Sequence, residues 1–549
     1  ACVSSSSRQR PGARRAPRPA CASRGRGRGA APPRLGGAGA AGAGGAAAAA
    51  PDLRLVEAMA ERDTARLRGL LADEGLDVNA ARADGATALL WAAHWDDGEA
   101  ADLLLRAGAD VNAADDHGVT PLARACENAS VSMVERLLAA GANPNAALAN
   151  GLTPLMTAAR TGSLDVVRAL LSGAADVDAA TAATHETALM WAVAGRHRDV
   201  VRALVERGAD VHPQPRQAFS PLIAAARNGD IETAELLLAA GAGVDETGSD
   251  GAHPLAYAVI VGQVAFAHFL LERGADPNGV VDGVTALHAA AGPVRTWLKA
   301  WNRKHGGAGA RAGRLALGER LPLVDALLAR GADPNARMTA SDVTEQGFVR
   351  NGAYDTFATG TGDVAGATPL WVAAFATNPG PGRMRNGWST HSSTGDVLRR
   401  LLAAGARPGI TSNDGTTPMM AAAGCGRWGH WTNTPRAARQ PMAEEAIGIL
   451  IEAGMDVNAA NEGDFTALHC AAFSGLNEVI QLLVEHGADI DARDWRGRTA
   501  FRLAEGAKQS FHYQAWPETA ALLAELGADT RLGIPGTIHE RLRGLVAPR

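Results

Sequence analysis

One motif recurs along the chain at an almost constant spacing. A strict period of this length indicates a solenoid, in which each unit is too small to bury its apolar residues alone and packs against its neighbours. The repetition therefore argues against one compact globular core for most of the 549 residues. Aligned on the first residue of "TPL" or its variants, copies 32 to 34 residues apart start at Thr87, Thr120, Thr153, Thr187, Ser220, His253 and Thr285.

Each part of the motif has a mechanical role. The hydroxyl of Thr120 stands where an N-cap accepts from a backbone N–H of the first helical turn, and Pro121 takes the first helical position, whose N–H needs no partner. Leu170 and Leu171 supply the apolar stripe of a second helix. Gly108 follows such a helix where a left-handed residue ends it, and the Asp-x-Asn after it favours a turn. The motif therefore predicts two helices and a hairpin-like finger in each unit.

Two stretches carry a family resemblance, "GLTPLMTAA" from Gly151 and "LLRAGADVNAAD" from Leu104. They closely resemble the ankyrin repeat, and copies in register cover most of residues 52–530. The resemblance implies an all-α ankyrin-repeat solenoid, with helix-turn-helix units joined by β-hairpin-like fingers and about twelve repeats including the caps. The Ala, Arg and Gly bias and the large inserts are similar to bacterial members of the family, some of which are exported.

The period lengthens after Thr285, where insertions enter four turns between helices and one finger. Such places can lengthen without moving the apolar stripe out of register. The chain then divides into an Arg-, Gly- and Ala-rich low-complexity segment (1–51), regular repeats with an N-terminal cap (52–291), repeats with inserts (292–530) and a C-terminal tail (531–549). The inserts span residues 292–321, 337–365, 375–395, 424–443 and 506–516.

Aromatic residues concentrate in the inserts, which hold six of the eleven tryptophans. The resemblance implies that these additions border the groove that receives partners, and aromatic rings anchor interfaces because they bury much area while ordering few torsions. The other interpretation is that the inserts pack on the stack, for example through a helix-spaced stripe that includes Val294 and Leu298. The partner-binding candidates are Trp297, Trp301, Tyr354, Phe357, Trp388, Trp428, His430, Trp431, Tyr513 and Trp516.

Catalytic and metal-binding patterns are mostly missing from the sequence. His288 and His469 occupy the "T-x-L-H" position, where the resemblance implies a side chain that links backbone groups of adjacent fingers. Cys425 and His430 are five residues apart and make a weak metal pair because no second pair accompanies them. The five cysteines show no spacing from which a disulfide framework can be inferred. We therefore expect no catalytic residue, no metal and no cofactor.

Two other groups have structural interpretations. Asp96 and Asp97 fall in the turn before a helix, whose start favours acidic side chains electrostatically. Four tryptophans lie on or near the first helices of their units and belong either to the core or to the floor of the groove, with the core favoured for most: Trp91, Trp95, Trp191 and Trp371.

Charge is distributed asymmetrically along the chain. Residues 1–51 carry nine Arg and no acid, so residues 52–549 carry 44 bases and 58 acids, a net charge of −14. The acidic body argues against nucleic acid as a partner, and no apolar run is long enough to span a membrane as a helix.

The first segment is expected to be disordered or to act as a secretory signal, which favours periplasmic or secreted export over a cytoplasmic location. We expect a monomer.

These patterns predict a noncatalytic scaffold that binds a protein partner on the concave face of fingers and first helices and on the aromatic inserts. The alternative is a small-molecule-binding or enzymatic site assembled from the C-terminal inserts. That alternative requires four side chains to converge in one pocket, namely Cys425, His430, Tyr513 and His391.

Overall fold

Paired helices make up almost all of the regular structure. The computed structural model describes residues 52–533 except 74, 214, 217–218, 293, 295–297, 299–314, 316, 340–363, 378–392, 426–435 and 510–511. Within these residues the helices are α1 (Arg54–Ala60), α2 (Thr64–Leu70), α3 (Ala88–His94), α4 (Gly98–Arg106), α5 (Pro121–Glu127), α6 (Val131–Ala139), α7 (Pro154–Thr161), α8 (Leu164–Ser172), α9 (Ala188–Gly195), α10 (Arg198–Glu206), α11 (Pro221–Asn228), α12 (Ile231–Ala239), α13 (Pro254–Val261), α14 (Val264–Glu272), α15 (Ala286–Ala291), α16 (Leu317–Ala329), α17 (Pro369–Ala376), α18 (Ser393–Ala403), α19 (Pro418–Ala422), α20 (Arg436–Glu452), α21 (Ala467–Ser474), α22 (Asn477–Glu485), α23 (Ala500–Glu505) and α24 (Pro517–Glu525).

Consecutive helices form twelve pairs in the described part of the chain, and each pair is one repeat with an A helix followed by a B helix. Two short antiparallel hairpins are the strands found there. In the first, β1 (Val280–Val281) pairs with β2 (Val284–Thr285), and in the second, β3 (Ala507–Gln509) pairs with β4 (His512–Gln514). The predicted all-α solenoid with about twelve repeats is confirmed.

The capping threonines start the A helices as the motif predicts. The Oγ1 atoms of Thr120 and Thr153 each accept from the backbone N–H three residues later, at 3.2 Å. Proline follows both as the first helical residue. Gly108 ends its B helix at φ +88°, a left-handed conformation that a side chain would strain.

Asparagine side chains join the fingers of successive repeats in a series that we call the asparagine ladder. Asn112 is typical: its Oδ1 accepts from the backbone N–H of Asn143 at 2.7 Å, and its Nδ2 donates to the carbonyl of Gly141 at 3.2 Å. Each such residue fixes the next finger by two hydrogen bonds, one accepted and one donated. The ladder consists of Asn79, Asn112, Asn145, Asn278, Asn335 and Asn458.

One apolar core runs through all twelve repeats, from Leu55 to Ala528. The core continues past the first insert because α15 packs against both α16 and α17, and α16 packs against α18. Val294 and Leu298 are fully buried in this core. At these two positions the insert packs on the stack, which is the second interpretation that the sequence allows.

Three B helices, α16, α18 and α20, begin within the sequence ranges assigned to inserts, and two of them contain proline. Helix α16 starts at Leu317 and contains Pro322, and α20 starts at Arg436 and contains Pro441. Proline removes one backbone donor, yet both helices continue for several residues beyond it. The end of each insert range is therefore helical, and the first turns of α20 add a helical surface beside repeats 11 and 12.

Candidate interaction site

Most of the partner-binding candidates lie outside the described residues. Tyr513 belongs to strand β4, where it pairs with Lys508, and Trp516 precedes helix α24. The candidates outside the described residues are Trp297, Trp301, Tyr354, Phe357, Trp388, Trp428, His430 and Trp431.

Trp516 is half-buried against the neighbouring repeat. Its indole Nε1 donates to the carbonyl of Phe473, at the end of α21, at 3.0 Å. The guanidinium of Arg436 lies over its ring, with Cζ 5.5 Å from the ring centroid. One edge of this predicted anchor is thus held by the stack, and one face meets a cation from the start of α20.

Three side chains at the start of α20 carry buried polar atoms. Arg436, Arg439 and Gln440 lie three or four positions apart, so they share one face of the helix. Arg439 is only 7% exposed, and its closest acceptor is the carbonyl of Ser474 at 3.5 Å. Among the described residues no hydrogen-bond partner is found for Arg436 Nη1, Arg439 Nε or Gln440 Oε1. We call Arg436, Arg439, Gln440, Ser474 and Trp516 the C-terminal cluster.

A disulfide joins repeats 10 and 11 beside this cluster. Cys425 follows α19, Cys470 lies in α21, and their Cα atoms are 5.2 Å apart, a usual separation for bonded cysteines. Cys425 therefore has no free thiol to act as a nucleophile or a metal ligand, and that part of the alternative hypothesis is wrong. Both cysteines are buried.

Sequence reasoning missed both features of this region. A signal for the disulfide was present in the register of the repeats: Cys425 is eight residues after Thr417 and Cys470 is four after Thr466. Counted from the capping threonine, the two positions in these neighbouring repeats differ by four residues, about one helical turn. The buried arginines have a weaker signal, since surface arginines at the same helical spacing look identical in sequence.

The two motif histidines join neighbouring repeats, as predicted. His288 Nε2 donates to the carbonyl of Ala367 at 3.0 Å, and its Nδ1 accepts from the hydroxyl of Thr285 at 2.8 Å. His469 makes the equivalent contacts with Arg498 and Thr466. Because both ring nitrogens are used inside the stack, neither histidine can act as a base or a ligand.

Burial lowers the pKa of His288 to about 4. The unfolded chain binds this proton near the ordinary pKa of about 6.5, so stability is complete above pH 6.5 and falls as pH drops towards 4. The expected loss is about 3 kcal/mol, from roughly 1.4 kcal/mol per pH unit. Urea unfolding midpoints measured from pH 7 to 4 should fall less steeply for His288→Gln than for the native chain. The control Leu287→Ala destabilises the same helix but keeps the titrating histidine, so its urea midpoint should depend on pH as steeply as that of the native chain. The same pH dependence in all three proteins would contradict the assignment of the effect to His288.

The other structural interpretations are confirmed only in part. Asp97 caps α4, with its Oδ1 accepting from the N–H of Ala100 at 2.9 Å. Trp371 is fully buried and donates from Nε1 to the carbonyl of Thr416 at 3.0 Å. The other three tryptophans are only partly buried, namely Trp91, Trp95 and Trp191, and Trp91 and Trp191 pack against the apolar core. A fully buried core position is thus confirmed for Trp371 alone.

Comparison with known proteins identifies the family. The family model for ankyrin repeats (three copies) matches residues 55–147, 133–215, 222–296 and 389–494, which is more than half of the chain. The chain therefore belongs to the ankyrin-repeat family. Ankyrin repeats generally mediate protein–protein interaction, and the fold is typically a noncatalytic scaffold.

Individual relatives resemble only part of the chain. Human ankyrin repeat and SOCS box protein 16 is 34% identical over 141 residues, covering 25% of this chain and 27% of that protein. The E3 ubiquitin-protein ligase KEG of Arabidopsis thaliana is 25% identical over 377 residues, covering 61% of this chain and 21% of that protein. Among solved structures, the human ASB11 ankyrin repeat domain is 30% identical, with a TM-score of 0.36, over 40% of this chain and 96% of that domain. The chain thus matches about a quarter or less of the length of these two curated relatives.

Two further observations concern the described residues alone. They contain no group of three or more His, Cys, Asp or Glu side chains placed to hold a metal ion. None of their helices combines the length and the apolar character needed to cross a bilayer.

Proposed function

We propose that this protein is a noncatalytic scaffold that binds a protein partner on the face formed by its fingers and A helices and on its aromatic inserts. The observation that carries the proposal is the single apolar core from Leu55 to Ala528. A stack held by contacts between neighbouring repeats presents a long surface of fixed geometry, which suits recognition of another protein. The asparagine ladder supports the same view because it fixes the spacing of successive fingers.

Half-buried aromatic residues on the A-helix side support this choice of face. Trp91 and Trp95 stack with ring centroids 6.0 Å apart, and Arg62 covers the Trp95 ring at 4.8 Å. Trp191 occupies the same motif position as Trp91. Tryptophan and arginine are the residue types that most often dominate binding energy at protein interfaces. We infer that these residues form a second contact region, apart from the inserts.

The enzymatic alternative requires four side chains in one pocket, and one of them, Cys425, is bonded to Cys470. No observation on the described residues favours it. A bacterial origin, export and a monomeric state remain predictions from the sequence.

The insert contribution can be tested by replacing Trp388, Trp428 and Trp431 together with serine in the full chain. Affinity capture from the native host, quantified by mass spectrometry, should recover the partner at least tenfold less with this variant, because each aromatic anchor contributes 1 kcal/mol or more in typical interfaces. The thermal unfolding midpoint must be measured in parallel to show that the stack is intact.

A matched control replaces two exposed arginines on B helices, Arg168 and Arg202, with serine. This variant should capture the partner as the native chain does. Undiminished capture by the tryptophan variant would exclude the inserts as the recognition surface, and loss by both variants would exclude a specific role for the aromatic residues.

A further inference from the structure

We propose that the C-terminal cluster is a binding site for a carboxylate, and that it receives an acidic segment of the partner protein. The inference rests on the proposed scaffold function and names the chemistry of one contact within it. The cluster comprises Arg436, Arg439, Gln440, Ser474 and Trp516, from repeats 10, 11 and 12.

The first argument is the burial of Arg439 without a counter-charge. Its side chain is 7% exposed, its Nε is unpaired, and its one hydrogen bond, to the Ser474 carbonyl, is long at 3.5 Å. Within the described residues no carboxylate lies within ion-pair distance of this guanidinium. A buried charge normally has a partner because removing it from water is costly. The pKa of Arg439 is lowered by this burial and, secondarily, by the neighbouring charge of Arg436.

The second argument is the convergence of positive charge. Arg436 is close enough to influence Arg439, and its own Nη1 finds no hydrogen-bond partner in the described part of the chain. Both residues belong to the first turns of the 17-residue helix α20, where the helix dipole adds partial positive charge. Two guanidinium groups beside the N-terminal end of a helix form a suitable environment for an oxyanion.

The third argument concerns the charge of the ligand. Glu518 approaches Arg436 Nη1 to 4.0 Å, so its carboxylate belongs to the charge balance of the cluster. Two guanidinium groups and one carboxylate leave a net charge of about +1. A carboxylate neutralises that charge, whereas a phosphate monoester, which carries about −1.5 to −2 charges at pH 7, would exceed it next to Glu518.

The surroundings hold the cluster in place. The ring of Trp516 lies under Arg436, and its indole N–H is committed to Phe473, so the ring cannot turn freely. The Cys425–Cys470 disulfide fixes the end of α19 against α21, from which Ser474 projects. A preorganised site of this kind loses little conformational entropy on binding.

The test uses the full-length chain and hexaglutamate, a peptide probe that carries carboxylates. Hexaglutamate should raise the thermal unfolding midpoint in a saturable, salt-sensitive manner, while hexaglutamine should not. Inorganic phosphate is the third arm. A larger shift with phosphate than with hexaglutamate would overturn the carboxylate assignment.

The decisive variant is Arg439→Met, which keeps the apolar stem and removes the charge. Without a ligand it should unfold at the same temperature as the native chain or a higher one, because it removes an uncompensated buried charge. Its affinity for hexaglutamate should fall at least tenfold. The proposal would be overturned if Arg439→Met binds hexaglutamate as tightly as the native chain does. It would also be overturned if hexaglutamate does not raise the thermal unfolding midpoint of the native chain.

A purely structural role for Arg439 predicts a different result, namely a lower midpoint for Arg439→Met in the absence of any ligand. Failure of the carboxylate-site proposal is distinguishable from failure of the proposed scaffold function. If hexaglutamate fails to bind but partner capture still depends on the insert tryptophans, the carboxylate site is wrong and the scaffold stands.

Discussion

Replacing Trp371 with alanine should lower the free energy of unfolding of repeats 9 and 10 by about 3–5 kcal/mol, the usual cost of removing a buried large aromatic side chain. Trp371 is 0% exposed, stacks on Phe375 at 5.3 Å, and donates to the Thr416 carbonyl of the next repeat. Because each repeat depends on its neighbours, a weakened interface should divide one cooperative transition into two. Urea unfolding followed by circular dichroism would detect the extra step.

The matched control for this prediction is Trp371→Phe. Phenylalanine keeps most of the apolar contact and loses the indole donor, while the Thr416 carbonyl still accepts from the backbone N–H and the hydroxyl of Ser412. We therefore expect a smaller cost than for alanine, about 1 kcal/mol for the lost hydrogen bond. The urea midpoint should fall from the native chain to the Phe variant to the Ala variant. The separation between the two transitions should grow in the same order. A single transition at the native midpoint for the alanine variant would contradict a core that is continuous across repeats 9 and 10.

Replacing Asp494 with alanine should destabilise the last two repeats by about 3–5 kcal/mol. The side chains of Asp494 and Arg498 are 0% and 1% exposed, and Arg498 Nε donates to Asp494 Oδ2 at 2.7 Å. Asp494 Oδ1 also accepts from the backbone N–H groups of Arg496 and Arg498. Removing the carboxylate leaves a buried guanidinium and two backbone donors without this acceptor. Hydrogen exchange of residues in α21 to α24 would locate the loss.

An exposed ion pair gives the comparison for Asp494. Arg399 and Asp396 are 3.4 Å apart on α18, with side chains 54% and 44% exposed. Asp396→Ala should cost less than about 1 kcal/mol, because water already screens the pair. If Asp494→Ala and Asp396→Ala lower the free energy of unfolding by the same amount, the buried ion pair does not stabilise the last repeats more than an exposed pair would.

Much of the fold could be predicted because the determinants repeat. Thr120 capping a helix and Gly108 ending one are local events, governed by hydrogen-bond geometry and by the left-handed conformation that glycine tolerates. The linking role of His288 follows from its place in the motif. Repetition also gave the number of repeats, since each contributes one pair of helices.

The candidate site could be predicted only in outline. Contacts within the C-terminal cluster involve the start of α20, the end of α21 and Trp516 before α24, and this combination occurs once and has no periodic signal. Arg439 could be recognised as buried only after α20 was seen to begin at Arg436. The partial exposure of Trp91 also depends on packing, because its motif position does not state how far the ring extends beyond the leucines.

The asparagine ladder is not uniform, and its gaps have a mechanical consequence. Asp178, Asp245 and Asp491 stand at three of its positions, and a carboxylate accepts from the next finger but cannot donate to its carbonyl. His212 stands at a fourth and contacts Glu246 instead. Gly409 stands at a fifth and has no side chain to do either. Under tension along the stack, the repeats should therefore separate first where a finger lacks both hydrogen bonds, as beside Gly409.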